Sequence, residues 1–167
     1  MINWKTKTVL VKIEDEYGED SAPTAAANAI LALNVRLAPM EGQDTPRDIE
    51  KAFFGANPSI PTGLYTTLSF DIELVGSGEA GTAPAWGPLL RMCGVAEVIE
   101  AGVSVEYSPI TDDPESGSIY FMVGQTRHVM LGSRGTGTFK VNAQGIPMLS
   151  VVMTGLFSIP TKQPRVT

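Results

Sequence analysis

The chain has 167 residues, 43% of them hydrophobic and 7% aromatic, with a formal net charge of −6. That is enough apolar material for the core of one domain, which excludes wholesale disorder, and the acidic balance excludes a basic surface that grips nucleic acid. Cys93 is the single cysteine, so no intrachain disulfide forms and a reducing compartment fits.

The amino end, MINWKTKTVLVKIEDE, carries charges throughout and has no long apolar run. It reads as neither a signal peptide nor a membrane span, so the expectation is a soluble protein made in the cytoplasm, with no membrane partner. Residues 8–13 (TVLVKI) read as a strand, and the acidic EDEYGED that follows reads as a solvated, flexible stretch. In residues 29–37, Ile30, Ala32, Asn34 and Arg36 alternate with Leu31, Leu33, Val35 and Leu37. A period of two predicts a strand, ended by Pro39.

Residues 38–63 contain four prolines and read as a long connection, with a short helix over 45–53 capped by Thr45 and opened by Pro46. The adjacent Phe53 and Phe54 in this polar stretch imply docking on another surface. The clearest strand comes next, over 64–74. Leu64, Leu68, Phe70, Ile72 and Leu74 share one face, opposite Tyr65, Thr67, Ser69, Asp71 and Glu73.

One helix is predicted, in PAWGPLLRMCG, where Trp86, Leu89, Leu90 and Cys93 make a single apolar stripe and Gly94 supplies a left-handed end. Further strands are expected at 103–107, 118–123, 128–131, 137–142 and 148–157, with turns between them. The stretch LGSRGTGTF, residues 131–139, raises the question of a phosphate-binding loop. Such a loop needs a helix after it, whereas TFKVNAQG alternates like a strand, so the expectation is a hairpin turn whose glycines supply positive φ or a bulge in a bent strand pair.

No motif carries catalysis. His128 is the only histidine, which excludes a histidine metal cluster, and it lies in a strand with no nucleophile motif nearby. Cys93 falls on the apolar stripe of the helix, where desolvation raises a thiol pKa. The acidic clusters at 14–20 and 112–115 do not match a calcium-loop spacing. The reading is of a protein that is not an enzyme and uses no cofactor and no metal.

The succession FFGANPSIPTG, a strand ending in GSG, APAWGPLLRMCGVAE, VSVEYSPIT and HVMLGSRGTGTFKVNAQGIPMLSVVMTGLF resembles the tail tube (major tail) proteins of long-tailed bacteriophages and prophages. The resemblance spans residues 28–157. It implies a mainly β fold, a β-sandwich closing toward a barrel, with one short flanking helix, a long loop and extended termini. Residues 1–25 would be an arm with the first strand, 26–157 the tube domain with 38–63 as an inter-ring loop, and 158–167 a tail.

It further implies hexameric rings that stack into a tube in the virion tail, assembled in the host cytoplasm, through which DNA passes without sticking. Other tail proteins (tape measure, terminator and distal tail) would be partners. Phe53, Phe54, Ile60 and Pro61 would meet neighbouring subunits or rings. Asp71, Glu73 and Glu106 would be acidic residues facing the bore. Alternatives on the same strands are a tail terminator or decoration protein, a secreted tube subunit of a contractile injection system, and a sugar-binding sandwich.

Overall fold

The computed structural model describes residues 7–164. Ten strands and two short helices follow one another in the order β1 (Lys7–Ile13), α1 (Ala25–Asn28), β2 (Ala29–Ile30), β3 (Ala32–Pro46), β4 (Ser59–Glu73), α2 (Gly87–Arg91), β5 (Val95–Glu100), β6 (Ser104–Pro109), β7 (Gly117–Val123), β8 (Thr126–Lys140), β9 (Met148–Leu156) and β10 (Thr161–Lys162). The protein is mainly β and sandwich-like, as expected from the sequence.

Seven strands hydrogen-bond in the order β2-β1-β7-β8-β9-β4-β3, all antiparallel, and β10 adds to β8. The first half of β8 pairs with β7 and the second half with β9, so this single bent strand belongs to both layers. At the far ends, β2 and β3 are consecutive in the chain, separated by Leu31, and the barrel does not close there.

The core fills the space between the layers. Val9, Val11, Ile119, Phe121 and Met130 come from one layer, Leu68, Phe70, Ile72, Leu149, Val151 and Met153 from the other, and Leu89, Leu90 and Met92 from the region of α2. These positions alternate along β4 and β9 because successive side chains of a strand point to opposite faces. β7 departs from the pattern, since all seven of its residues are buried. Its outer face is covered by the chain that follows β1: Tyr120 donates to Asp20 at 2.5 Å, and the Ser21 amide donates to Ser118 at 3.1 Å. The acidic EDEYGED stretch is therefore anchored over β7, although Asp15, Glu16, Tyr17, Glu19 and Asp20 remain solvent-exposed as expected.

That packing centres on Glu14, whose carboxylate is buried. The hydroxyls of Ser116 and Ser118 each donate to it at 2.8 Å, the Gly18 amide at 2.9 Å, and the Gly132 amide reaches both oxygens at 2.9 and 3.1 Å. A carboxylate removed from water must recover its lost hydration in this way. The expected hairpin turn at 131–139 does not form, whereas the expected positive φ and bulge do. β8 runs straight through it, and a bulge shifts the register between Leu131 and Arg134 against β9.

Gly132 adopts φ +57° at that bulge, and a Cβ there would stand 2.8 Å from the Tyr17 ring. Arg134 stacks on the same ring, 5.0 Å from its centroid, and donates to the Pro114 carbonyl at 2.6 Å. The glycine-rich stretch does hold an anion, but the anion is the protein's own carboxylate. Farther along, a Cβ on Gly135 would lie 2.1 Å from the Val152 carbonyl oxygen, and the Gly135 amide donates to the Met92 carbonyl at 3.2 Å. Only glycine allows β8 to pass this close to β9 and to the end of α2.

Two other expectations need correction. The helix at 84–94 is shorter than three turns: only 87–91 are α-helical, Pro88 sits in the first turn, and Gly94 closes the segment at φ +81°. The long connection over 38–63 is mostly strand. β3 continues through Pro46, β4 begins at Ser59, and the two pair up to Pro46 opposite Ser59. Pro39 and Pro46 are tolerated because β3 is an edge strand that needs no amide donor on its free side. No helix forms over 45–53.

Two substitutions separate the parts of the Glu14 cluster. Gly132→Ala should cost about 2 kcal/mol through the left-handed backbone and the Tyr17 clash. Glu14→Ala should cost about 3 kcal/mol by orphaning buried donors. Urea unfolding midpoints check both, and wild-type midpoints would refute this role for the cluster.

Candidate assembly surfaces

The β3–β4 hairpin outgrows the core that supports it. Val35, Thr66, Leu68, Phe70 and Ile72 anchor its base, whereas no residue from 42 to 63 is buried. A bare two-stranded ribbon is marginal in water, so its outer half is held by the ladder and by side-chain bonds such as Thr62 Oγ1 to the Gln43 carbonyl at 3.0 Å. At its end, residues 47–58 carry Phe53 at 71% exposure and Phe54 fully exposed, with the Lys51 ammonium 5.9 Å from the Phe53 ring centroid. Ile60 and Pro61 stand at the start of β4, opposite Thr45 and Asp44, and both are exposed. All four residues expected to meet neighbours thus lie on one projecting arm.

A second surface is the outer face of the sheet β3-β4-β9-β8. Thr67, Ser69, Asp71 and Glu73 of β4 lie beside Thr154, Val152, Ser150 and Met148 of β9, which lie beside Arg134, Thr136, Thr138 and Lys140 of β8. It is a hydroxyl-rich face of mixed charge. Asp71 is fully engaged on it: Ser150 and Asn34 donate to its carboxylate, and the Lys140 ammonium lies 3.9 Å away. The Ser150 bond first, then the Asn34 bond, hold its pKa below the ordinary 3.8. Glu73 is exposed at the end of β4, while Glu106 is on β6, in a separate two-stranded sheet with β5. The three acidic candidates therefore do not share one sheet.

A third surface was not visible in the sequence. Where the sandwich fails to close, a cleft of about 630 Å³ opens around Leu31. Ile30, Leu31, Leu33, Val75 and Trp86 line it, and Glu73, at the end of β4, is the one charged residue on its border. Leu31 is 93% exposed. Trp86 is fixed there by donating its indole N–H to the Val75 carbonyl at 2.9 Å and by packing 5.6 Å from the Tyr107 ring. Tyr107 donates to Glu97 at 2.6 Å, and Arg91 grips Glu115 through two bonds of 2.6 Å, so the short helix and the β5–β6 hairpin hold this wall in place.

The residues weighed for chemistry sit in unreactive settings. Burial pushes the Cys93 thiol up to about 11, and burial lowers the pKa of His128, which packs 6.3 Å from the Phe121 ring. Among the described residues, no group of three or more His, Cys, Asp and Glu is placed to hold a metal ion. No helix among them is long and apolar enough to cross a membrane.

Because the folded state lowers the Asp71 pKa, its ionised form stabilises the protein above the unfolded value of 3.8, and this contribution fades as the pH falls through the lower folded value. Asp71→Asn should therefore be less stable than wild type at pH 7, with the gap closing toward pH 2. Thermal unfolding across that range checks it.

No family model and no curated protein matches the chain. Among solved structures, it is similar to a chain of the cryo-EM structure of the anti-feeding prophage (AFP) baseplate, six-fold symmetrised, with a TM-score of 0.52 at 7% identity, covering 96% of this chain and 94% of that one. At that identity, what the two share is the fold, over essentially the full length of both.

Proposed function

We propose that this chain is a structural, self-assembling component of a phage-tail-like particle, whose copies form hexameric rings that stack into a tube through which DNA passes. The observation that carries this reading is the β3–β4 hairpin. Its outer half is detached from the core of its own chain and displays Phe53 and Phe54 to solvent. An exposed aromatic pair on a marginal ribbon is costly for a solitary protein and useful to one that docks on copies of itself. The shared fold with a chain of a six-fold symmetrised prophage baseplate supports the particle context.

In this reading the open edge of β3 meets the free edge of the second half of β8 in the next subunit, joining the four-stranded sheets around the ring. The hydroxyl-rich face carrying Asp71 and Glu73 lines the bore, and Glu106 faces it from the β5–β6 hairpin. Asp71 already spends its charge on Ser150, Asn34 and Lys140. A bore of this kind repels phosphate weakly and offers it few free cations, which suits sliding. Phe53, Phe54, Ile60 and Pro61 make the contacts between rings, and tape measure, terminator and distal tail proteins contact the ends of the tube.

A second reading takes the chain as a baseplate component or as the secreted tube subunit of an injection system, and the baseplate origin of the structural neighbour favours it. Negative-stain microscopy of the concentrated full chain separates the cases. Stacked tubes are expected, single rings would favour a terminator-like or baseplate part, and a monomer at every concentration would overturn self-assembly. The paired change Phe53→Ser with Phe54→Ser, both at exposed positions, should leave rings but abolish stacking. Full-length tubes from that variant would remove the hairpin from the contact between rings.

A further inference from the structure

Among the apolar features left uncovered in the described residues, the Phe53–Phe54 tip and the cleft around Leu31 are complementary, one projecting and one concave. They belong to opposite ends of the same ladder. The tip follows the pair Pro46–Ser59, and the cleft begins at the pair Ala32–Ile72. Thirteen residue steps along β4 separate these pairs, roughly 45 Å at strand rise, so one chain cannot bring tip and cleft together.

We propose that the β3–β4 tip of one copy seats in the Leu31 cleft of a second copy, with Phe54 against Leu31 and Lys51 beside Glu73. This rests on the self-assembly reading above and names the surface that receives the hairpin. The tip as a whole is neutral, with Arg47, Asp48, Glu50 and Lys51, and the charge beside its aromatic pair suits this occupant. Glu73 is the one charged residue bordering the cleft, and Lys51 is the cation held against the Phe53 ring. The cleft is otherwise aliphatic and aromatic, which suits a pair of phenyl rings.

Size fits as well. Two phenylalanines bury on the order of 300–500 Å². That anchors a contact but falls well short of a standard stable interface. A single tip in a single cleft is therefore weak, and it becomes firm when several copies in one ring engage together. Donor and acceptor are different patches, so the contact is heterologous, and each copy gives its tip to one neighbour and takes the tip of another.

The test is a cross-link between two full-length preparations, one carrying Phe54→Cys and the other Leu31→Cys, both in a Cys93→Ala background. Both engineered positions are exposed, so neither thiol disturbs the core. After mild oxidation under conditions where micrographs show assemblies, disulfide-linked dimers should be at least tenfold more abundant in the mixture than in either preparation alone. Adding Lys51→Glu to the first chain should lower the yield several-fold, and adding Glu73→Lys to the second should restore it.

Stacked assemblies in the micrographs without a linked dimer would overturn the proposal and leave self-assembly standing. Dimers in the Phe54→Cys preparation alone would mean that tip meets tip, which also overturns it. A mixture that forms neither assemblies nor dimers would overturn the contact and the self-assembly reading together.

Discussion

The fold depends on a buried carboxylate. Glu14 ends the first strand and at once turns its side chain inward, where four donors from three separate parts of the chain converge on it. Among the described residues no cation pairs with it, so the charge is met by hydrogen bonds alone. Through them Glu14 fastens the loop after β1 over β7 and sets the bulge in β8 at Gly132. That bulge is where β8 leaves one layer for the other, so the relation between the two layers is fixed by a side chain 118 residues away in sequence. Buried polar clusters of this kind define one arrangement because any other leaves donors unmet.

From that corner the rest follows by packing. The second half of β8 carries glycines on its inner face, which brings the end of α2 and the β9 backbone close. α2 then holds the β5–β6 hairpin through Arg91, Glu97 and Tyr107 and the segment before β7 through Arg91 and Glu115, and this unit positions Trp86 against the open seam at Leu31. The C-terminal segment lies along β8 as well: Ser158 donates to the Val129 carbonyl at 2.9 Å, and β10 pairs with Thr126 and Arg127. Residues 158–164 are thereby tied to their own chain.

Much of this was legible where one face of a strand is wet and the other dry. β4 and β9 alternate cleanly because Leu68, Phe70, Ile72, Leu149, Val151 and Met153 face the core, while Ser69, Asp71, Ser150 and Val152 do not. The outer half of the β3–β4 hairpin was unreadable for the opposite reason. It buries nothing, so no hydrophobic period marks it, and its prolines imitate a loop. The continuity of β8 was hidden because a distant carboxylate at Gly132 and close packing on β9 at Gly135, not a local turn, account for these glycines. Strand β5, VAEVIE, was missed because its apolar residues lack a two-residue period. On the assembly surfaces, Phe53 and Phe54 stood out as adjacent aromatics in polar surroundings. The cleft did not, since Ile30, Leu31, Val75 and Trp86 look like core residues until the fold leaves a gap between them.

The placement of tip and cleft at opposite ends of one ladder has a consequence for any particle built through them. Every copy added hides one tip and one cleft and presents a fresh one of each, so the growing structure has direction. One extremity always shows aromatic fingers and the other always shows greasy slots. The two termini are thus chemically unlike, and a protein shaped to start such a column cannot also finish it.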